Sequence, residues 1–482
     1  MTADKKSIGE TLAHIVVDPS SPSESEIVLE EEVDKAFERK VLRKVDFWLV
    51  GFYSLVYIFR VIDSSNYSNA AIINLEHGTG IKKQLHLDPS QWAWTLSIFS
   101  YSYMIFEPTN TVLLKTFRPS RWMFVLILAW GICACAVAAV QNFQGMMCAR
   151  FAIGLAEAGF YPAVLYHMDF WYRPTEMPWR IALFYSVGQL SSALSGLLAY
   201  AISFMDGLAG LPGWRWLFLL EGLPAIILAF VALFGLPDYP QTARMLNEKE
   251  RLFIERRLAD TAPSGSHGHW DWASLKRLFA DPTVYTFGLY WIAHGIGGFG
   301  VGYALPTVIY QLGFSDTAHS QLMNIVCDPR ILRLPPGNSL CSVLTDVREV
   351  ESTTIVCYII LVTVHSPVVK YIALIVAVSC AGSAYPVIWP ERIRALEGTV
   401  AAGVGIGLTN ACAQWSGIVG PHVYSTIYGP TYHKSYVICL SLLIVSISSV
   451  LASWLLIARR DRKRAALMTQ GLSYTGEDDL IL

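Results

Sequence analysis

Charged side chains are expensive in hydrocarbon, and those that persist inside long apolar runs mark places where ions or cargo are handled. Asp63 lies late in the first such run, within RVIDSSNYSNA. A carboxylate there can take a proton from one side of a membrane and give it to the other; a paired structural ion is the plainer use of the same residue. Arg60 stands three residues earlier, nearly one helical turn away. Arg150 and Glu157 are seven residues apart in a later run, which puts them on one helix face with about 10 Å of rise between them. The planar fork of an arginine suits a carboxylate-bearing substrate, although the early place of Arg150 in its run also suits an interfacial anchor. Glu157 is a candidate second proton site, coupled to Arg150 through occupancy. Gln189 and Asn410 are uncharged hydrogen-bonders in two further runs, positions where polar residues also join helices to one another. His294 opens HGIGGFGVGY and could titrate near neutral pH, but the expected role is that of a satisfied buried histidine. Glu107 and Glu221 fall near the ends of their runs and are expected to be structural.

Such residues need helices that cross a membrane to hold them. The chain has 53% hydrophobic and only 15% charged residues, well below the roughly one quarter charged of soluble domains. Eleven segments supply the ~20 apolar residues a crossing requires, near 46–71, 91–113, 122–141, 145–168, 180–204, 215–236, 283–311, 353–366, 370–389, 398–420 and 436–458. Six precede a charged connection, 237–282, whose LNEKERLFIERRLAD reads as an amphipathic soluble helix. Division into halves is a mark of transporters built from repeated bundles. The expected organisation is a disordered cytoplasmic tail (1–44), a six-helix bundle (45–236), a cytoplasmic loop (237–282), a second bundle (283–458) and a cytoplasmic tail (459–482).

Lys and Arg concentrate in alternate loops, from Arg39–Lys44 to Arg459–Arg464, which places both termini in the cytoplasm and requires an even number of crossings. The stretch that should supply the twelfth is a poor one. CDPRILRLPPGNSLCSVLTDVREVEST (327–353) carries Asp328, Arg330, Arg333, Asp346, Arg348 and Glu349 with adjacent prolines at 335 and 336, and each central charge costs about 2.5–3.5 kcal/mol on the insertion scale. Either a weak helix near 331–346 is forced in by its neighbours, or the segment is foreign to an intact protein, as a retained intron or a frame error would be. The second is the favoured reading.

Four strings together resemble one family: EPTNTVLLKTFRPSRW (107–122), RFAIGLAEAGFYPAVLYHMDFWY (150–172), IALFYSVGQLSS (181–192) and GWRWLFLLEGLPAI (213–226). They are similar to the fungal anion:cation symporters of the major facilitator superfamily, which include allantoate, nicotinate and pantothenate permeases. YPVIWPERIRALEGTVAAGVGIGLTNACAQWSGIVGP (385–421) resembles the last third of the same group. The resemblance covers about 45–325 and 355–460 and fails across 327–352. It implies an all-α polytopic membrane fold of two six-helix bundles with about twelve spans, a central site and proton coupling. It also implies that Asp63 matches the acid of the family's D-R-[ST]-N pattern, with Ser64 in place of its arginine and Arg60 a possible substitute. By the same resemblance Arg150 and Glu157 bind the anion and couple protons, and Gln189 and Asn410 line the cavity.

The expectation is proton-coupled uptake of a small organic anion or vitamin-like carboxylate, in the plasma membrane. The partners are then a small-molecule substrate, protons and the lipid bilayer. The rivals are a proton-driven exporter and a non-transporting sensor or inactive relative. A net charge of -2 leaves no nucleic-acid footprint. With no visible nucleophile–base pair or metal cluster, no enzyme activity, metal or cofactor is expected.

Overall fold

A computed structural model describes residues 24–114, 117–173, 176–258, 276, 278–313, 340–395 and 401–469, and every regular element among them is helical. The first half comprises α1 (Glu24–Trp48), α2 (Val50–Ala70), a single turn α3 (Ile81–Gln84), α4 (Pro89–Leu114), α5 (Pro119–Val137), α6 (Phe143–Glu157), α7 (Phe160–Met168), α8 (Met177–Ser203), α9 (Gly213–Gly235) and α10 (Glu248–Leu258). The second comprises α11 (Pro282–His294), α12 (Leu305–Gln311), α13 (Leu340–Thr363), α14 (Pro367–Ala395), α15 (Ala401–Ala413), α16 (Trp415–Val423) and α17 (His433–Thr469). Residues 24–44, expected to be a disordered tail, are helical: α1 runs into α2 with a break only at Leu49, and Val41 and Val45 are buried in the first core.

Local chemistry sets the helix starts. Arg118 is extended because Pro119 follows it, and Pro119 then opens α5. Asn142 caps α6 by accepting from the Gly145 N–H, and Asp281 caps α11 by accepting from Thr283 ahead of Pro282. Five helical stretches are long and apolar enough to span a bilayer: Ala36–Ala70, Pro119–Val137, Phe143–Met168, Gly213–Gly235 and His433–Arg460. Pro282–Tyr303 with Leu305–Gln311, bent by 61°, forms a sixth. α4, α8, α13 and α14, of 26, 27, 24 and 29 residues, have spanning length but carry more polar residues. Large apolar side chains line the outside, among them Phe234, Ile227, Ile105 and Ile372, as a lipid-facing surface requires.

In the first bundle α2 packs on α8 and α9, α4 on α6, and α5 on α6 and α9. The α5–α9 crossing is close because Gly131 and Gly222 face it: a Cβ on Gly222 would come within 2.8 Å of the Cys135 nitrogen. In the second bundle α17 is antiparallel to α11, since Ser449 and Ser453 bond Thr286 while Cys439 reaches Ile296. α17 is also antiparallel to α13, since Ser446 meets Glu351 and Tyr436 meets Tyr358. α11 and α13 therefore run parallel, and Gly313 and Leu340 lie toward opposite faces of the bundle. The residues between, 314–339, which include the first half of the unusual stretch, lie outside the described residues; the second half of that stretch forms the start of α13.

The bundles meet along α4 and α16. Ser97 Oγ donates to the Ile418 carbonyl at 2.8 Å, and Trp94 packs edge-on to His422. A Cβ on Gly417 would overlap Ser100, so glycine is what lets these helices touch. Tyr303 packs against the first bundle's core from the second. These contacts lie toward the face that carries α3. At the opposite face, which carries α10, the ion pairs Lys44–Glu250, Arg180–Asp46, Arg257–Glu38, Arg257–Glu176 and Arg460–Asp281 each stay within one half of the chain.

Candidate functional site

Three helices of the first bundle bring four of the sequence candidates together. α2 supplies Arg60 and Asp63, one turn apart; α6 supplies Arg150 and Glu157, two turns apart. Antiparallel packing of such pairs alongside α4 sets charges of opposite sign against each other. Arg60 Nε donates to Glu157 Oε2 at 3.0 Å. Asp63 is 2% exposed and accepts from the indole N–H of Trp130 on α5 at 3.1 Å. Asp63 also lies within reach of Glu157 and in the field of both arginines. One oxygen of each acid, Asp63 Oδ1 and Glu157 Oε1, is buried with no hydrogen-bond donor. Such oxygens are expensive to leave bare, and a proton shared between the two carboxyls is the simplest way to satisfy both.

The two arginines differ in access. Arg150 is 4% exposed; its Nε donates to the Thr95 carbonyl at 3.0 Å and its Cζ stacks 3.6 Å from the Tyr67 ring centroid. Phe99 closes its other side at 4.8 Å. This arginine is deep in the bundle rather than at an interface. The Arg60 side chain keeps 21% of its surface and is flanked by the Tyr57 and Tyr103 rings. It is the more accessible of the two guanidinium groups.

Asn410 joins the site from the other half. Its amide donates to Glu107 of α4, across the bundle interface. Gln189 lies on α8, whose neighbouring face packs on α2, but its side chain is outside the described residues. Glu107 and Glu221, expected to be structural, are both buried. Glu107 lies well inside α4 and contacts the second bundle; Glu221 is 3% exposed near the middle of α9 with both oxygens lacking a donor, in the field of Asp63. The sequence signal for Glu221 is a lone acid within GWRWLFLLEGLPAI. Trp130 and Tyr67, which support Asp63 and Arg150, carry no sequence signal of their own.

The loop 115–121, a candidate latch or topology anchor, is described from Phe117 onward. There the Ser120 N–H donates to Asp238 beyond the end of α9, tying two connections of one face together.

Comparison with known proteins gives consistent results. A family model described as Major Facilitator Superfamily matches residues 51–328 and stops where the unusual stretch begins. The chain is 25% identical over 503 residues to the MFS-type transporter cnsO of Penicillium expansum, covering 96% of this chain and 94% of that one. It is 30% identical over 310 residues to the MFS transporter prlL of Fungal sp., covering 64% and 62%. It is 31% identical over 284 residues to a putative tartrate transporter of Agrobacterium vitis, covering 59% and 61%. The last two matches span less than two thirds of those relatives. Among solved structures, a bacterial homologue of the human lysosomal transporter Spinster, inward-facing and occupied, superposes with a TM-score of 0.58 at 12% identity. That superposition covers 85% of this chain and 96% of the other.

Proposed function

The chain belongs to the major facilitator superfamily, and from that premise we propose that it is a secondary transporter carrying a small organic anion together with protons by alternating access. The observation that carries this reading is the Arg60–Glu157 pair, in which a partly accessible guanidinium is held by a carboxylate whose side chain is only 1% exposed. A substrate carboxylate that takes Arg60 must displace Glu157. The displaced acid is then a sealed charge without a partner, a costly state that a proton removes. Anion binding and proton uptake thus require each other, and Asp63 supplies an adjacent place to which that proton can pass. Arg150, stacked behind Tyr67, fixes the local positive field, and Asn410 lines the path between the halves. That one relative is named as a putative tartrate transporter supports a small carboxylate as the substrate class.

The Lys/Arg pattern assigns the α10 face to the cytoplasm. The contacts between α4 and α16 then seal the outer side, and the plasma membrane is the proposed location.

The test is uptake into vesicles containing the purified full chain, using labelled tartrate and a panel of labelled mono- and dicarboxylates. An inward proton gradient should drive accumulation of at least one of them, and a protonophore should abolish it. Arg60→Lys should weaken the apparent affinity by roughly ten-fold or more, because a point charge does not replace a bidentate fork. Accumulation indifferent to the gradient, or an unchanged affinity in Arg60→Lys, overturns the scheme.

A further inference from the structure

A second buried acid–base pair lies in the other bundle, and the scheme above leaves it unused. His294 is the last residue of α11 and Glu351 lies on α13; neither side chain has any exposed surface, and His294 Nδ1 is 2.7 Å from Glu351 Oε1. The same oxygen accepts from Ser446 of α17 at 3.2 Å. On the far side of the ring, Nε2 is 3.2 Å from the Ala381 carbonyl of α14. A carbonyl only accepts, so Nε2 carries a hydrogen. Nδ1 and the second oxygen, Glu351 Oε2, are both buried without a hydrogen bond, so a base and an acid lie sealed in contact and are satisfied by one further proton between the two groups. On either atom it leaves the pair neutral. One proton fewer seals in a carboxylate, and one more seals in a cation, where neither has a counter-charge.

Among the described residues the surroundings supply none. Tyr290 stacks on the imidazole with ring centroids 5.2 Å apart, and Trp291 and Phe299 meet it edge-on. Among the described residues, the titratable side chains near the pair are Tyr290 of α11, within reach of Glu351, Cys380 of α14, Cys412 of α15 and Cys439 of α17, all of types that are neutral near neutral pH. The pair also sits at a break in its helix. Immediately after His294 the chain becomes a π-helix over Gly295–Phe299 and then a 3-10 turn over Gly300–Tyr303, before α12 leaves at 61°. Segments of this kind recur at functional sites, where a helix must change shape.

We infer that His294 and Glu351 form a proton-binding site of the second bundle, distinct from Asp63 and Glu157. The site holds one proton between ring and carboxyl, beside the π-helical segment of the seventh pass.

The test is the melting temperature of the purified full chain in detergent, followed from about pH 5 to about pH 9 for four proteins: wild type, His294→Gln, Glu351→Gln and the double variant. Removing the histidine leaves an acid that is comfortable only when protonated, so the stability of His294→Gln should fall relative to wild type as pH rises. Removing the acid leaves an imidazole that is comfortable only when neutral, so the stability of Glu351→Gln should fall relative to wild type as pH drops. The double variant should show neither slope. Opposite slopes that vanish on combination support the site. Singles that lose stability equally at every pH, as for a plain packing contact, overturn it. Should a single variant fail to fold, recovery of folding in the double variant supports the pair, and a double variant no better than the singles overturns it. Asp63→Asn should leave both slopes in place, which separates this site from the anion scheme in the first bundle.

Discussion

At the scale of single residues, function rests on which partner each buried charge keeps. Glu157→Gln copies the protonated acid: it cannot hold Arg60 and cannot release a proton. The variant should keep substrate exchange across vesicles while losing gradient-driven accumulation, and its affinity for the anion should no longer weaken as pH rises. A variant that still concentrates substrate would remove Glu157 from the coupling. Asp63, Arg150 and Glu157 were legible because a charge inside an apolar run stands out. Their pairing was not. Seven-residue spacing put Arg150 and Glu157 on one face, whereas the partner of Glu157 is Arg60, 97 residues earlier, and Arg150 turns to the carbonyls of α4. Spacing along one helix says which side chains share a face. It says nothing about which neighbouring helix that face meets, and so a partner supplied by tertiary packing stays hidden.

At the scale of the element, close crossings decide whether the charges register. Gly154 lies on the α6 face between Arg150 and Glu157, and a Cβ there would fall 2.4 Å from the Phe99 carbonyl and 2.1 Å from Ser102 Oγ. Gly154→Leu should push α4 from α6, costing about 1–3 kcal/mol or more by overpacking, and should lose transport more completely than stability. Normal uptake by a folded Gly154→Leu protein would show that this crossing does not position the site. A smaller effect belongs to α10. Burial works to raise the pKa of Glu250, but the hydrogen bond from Lys44, the Asn247 N–H and the charges of Lys44 and Lys40 outweigh it and hold the carboxyl below its ordinary value. A lowered folded pKa means the stability it adds is present above the unfolded value of about 4.3 and lost as pH falls through that range. Glu250→Gln should therefore lower the melting temperature slightly at pH 7, by the equivalent of up to about 1 kcal/mol for a partly exposed pair. That difference should shrink below about pH 4.5; a gap that persists there would assign the loss to packing. Helix existence was legible for most runs, because apolar runs of spanning length leave few alternatives; α13 is the exception, since it begins at Leu340 inside the charged stretch that the sequence reading set aside. The onset of α1 was not, since residues 24–44 carry acidic and basic residues that read as solvated tail until a folded bundle covers Val41 and Val45.

At the scale of the whole molecule, the proposed scheme requires two bundles that share one central site to open to each side in turn, so the seal on the α3 face has to break in every cycle. That seal is narrow. Ser100 and Gly417 are so close that a Cβ on the glycine would lie 3.0 Å from the serine Cβ. Cysteines at both positions sit within the range from which a small adjustment forms a disulfide. Ser100→Cys combined with Gly417→Cys should lose uptake on oxidation and recover it on reduction, while either single change should be insensitive to oxidant. Substrate binding from the α10 face should survive in the locked protein, because the link leaves Arg60 and Glu157 untouched. If the oxidised protein transports at the full rate, α4 and α16 do not part during the cycle, and rocking of the two halves about the site is the wrong description. The choice of these two helices could not be read from the chain: SYSY and GIVGP are 317 residues apart, and only the packing of one bundle on the other makes them a gate.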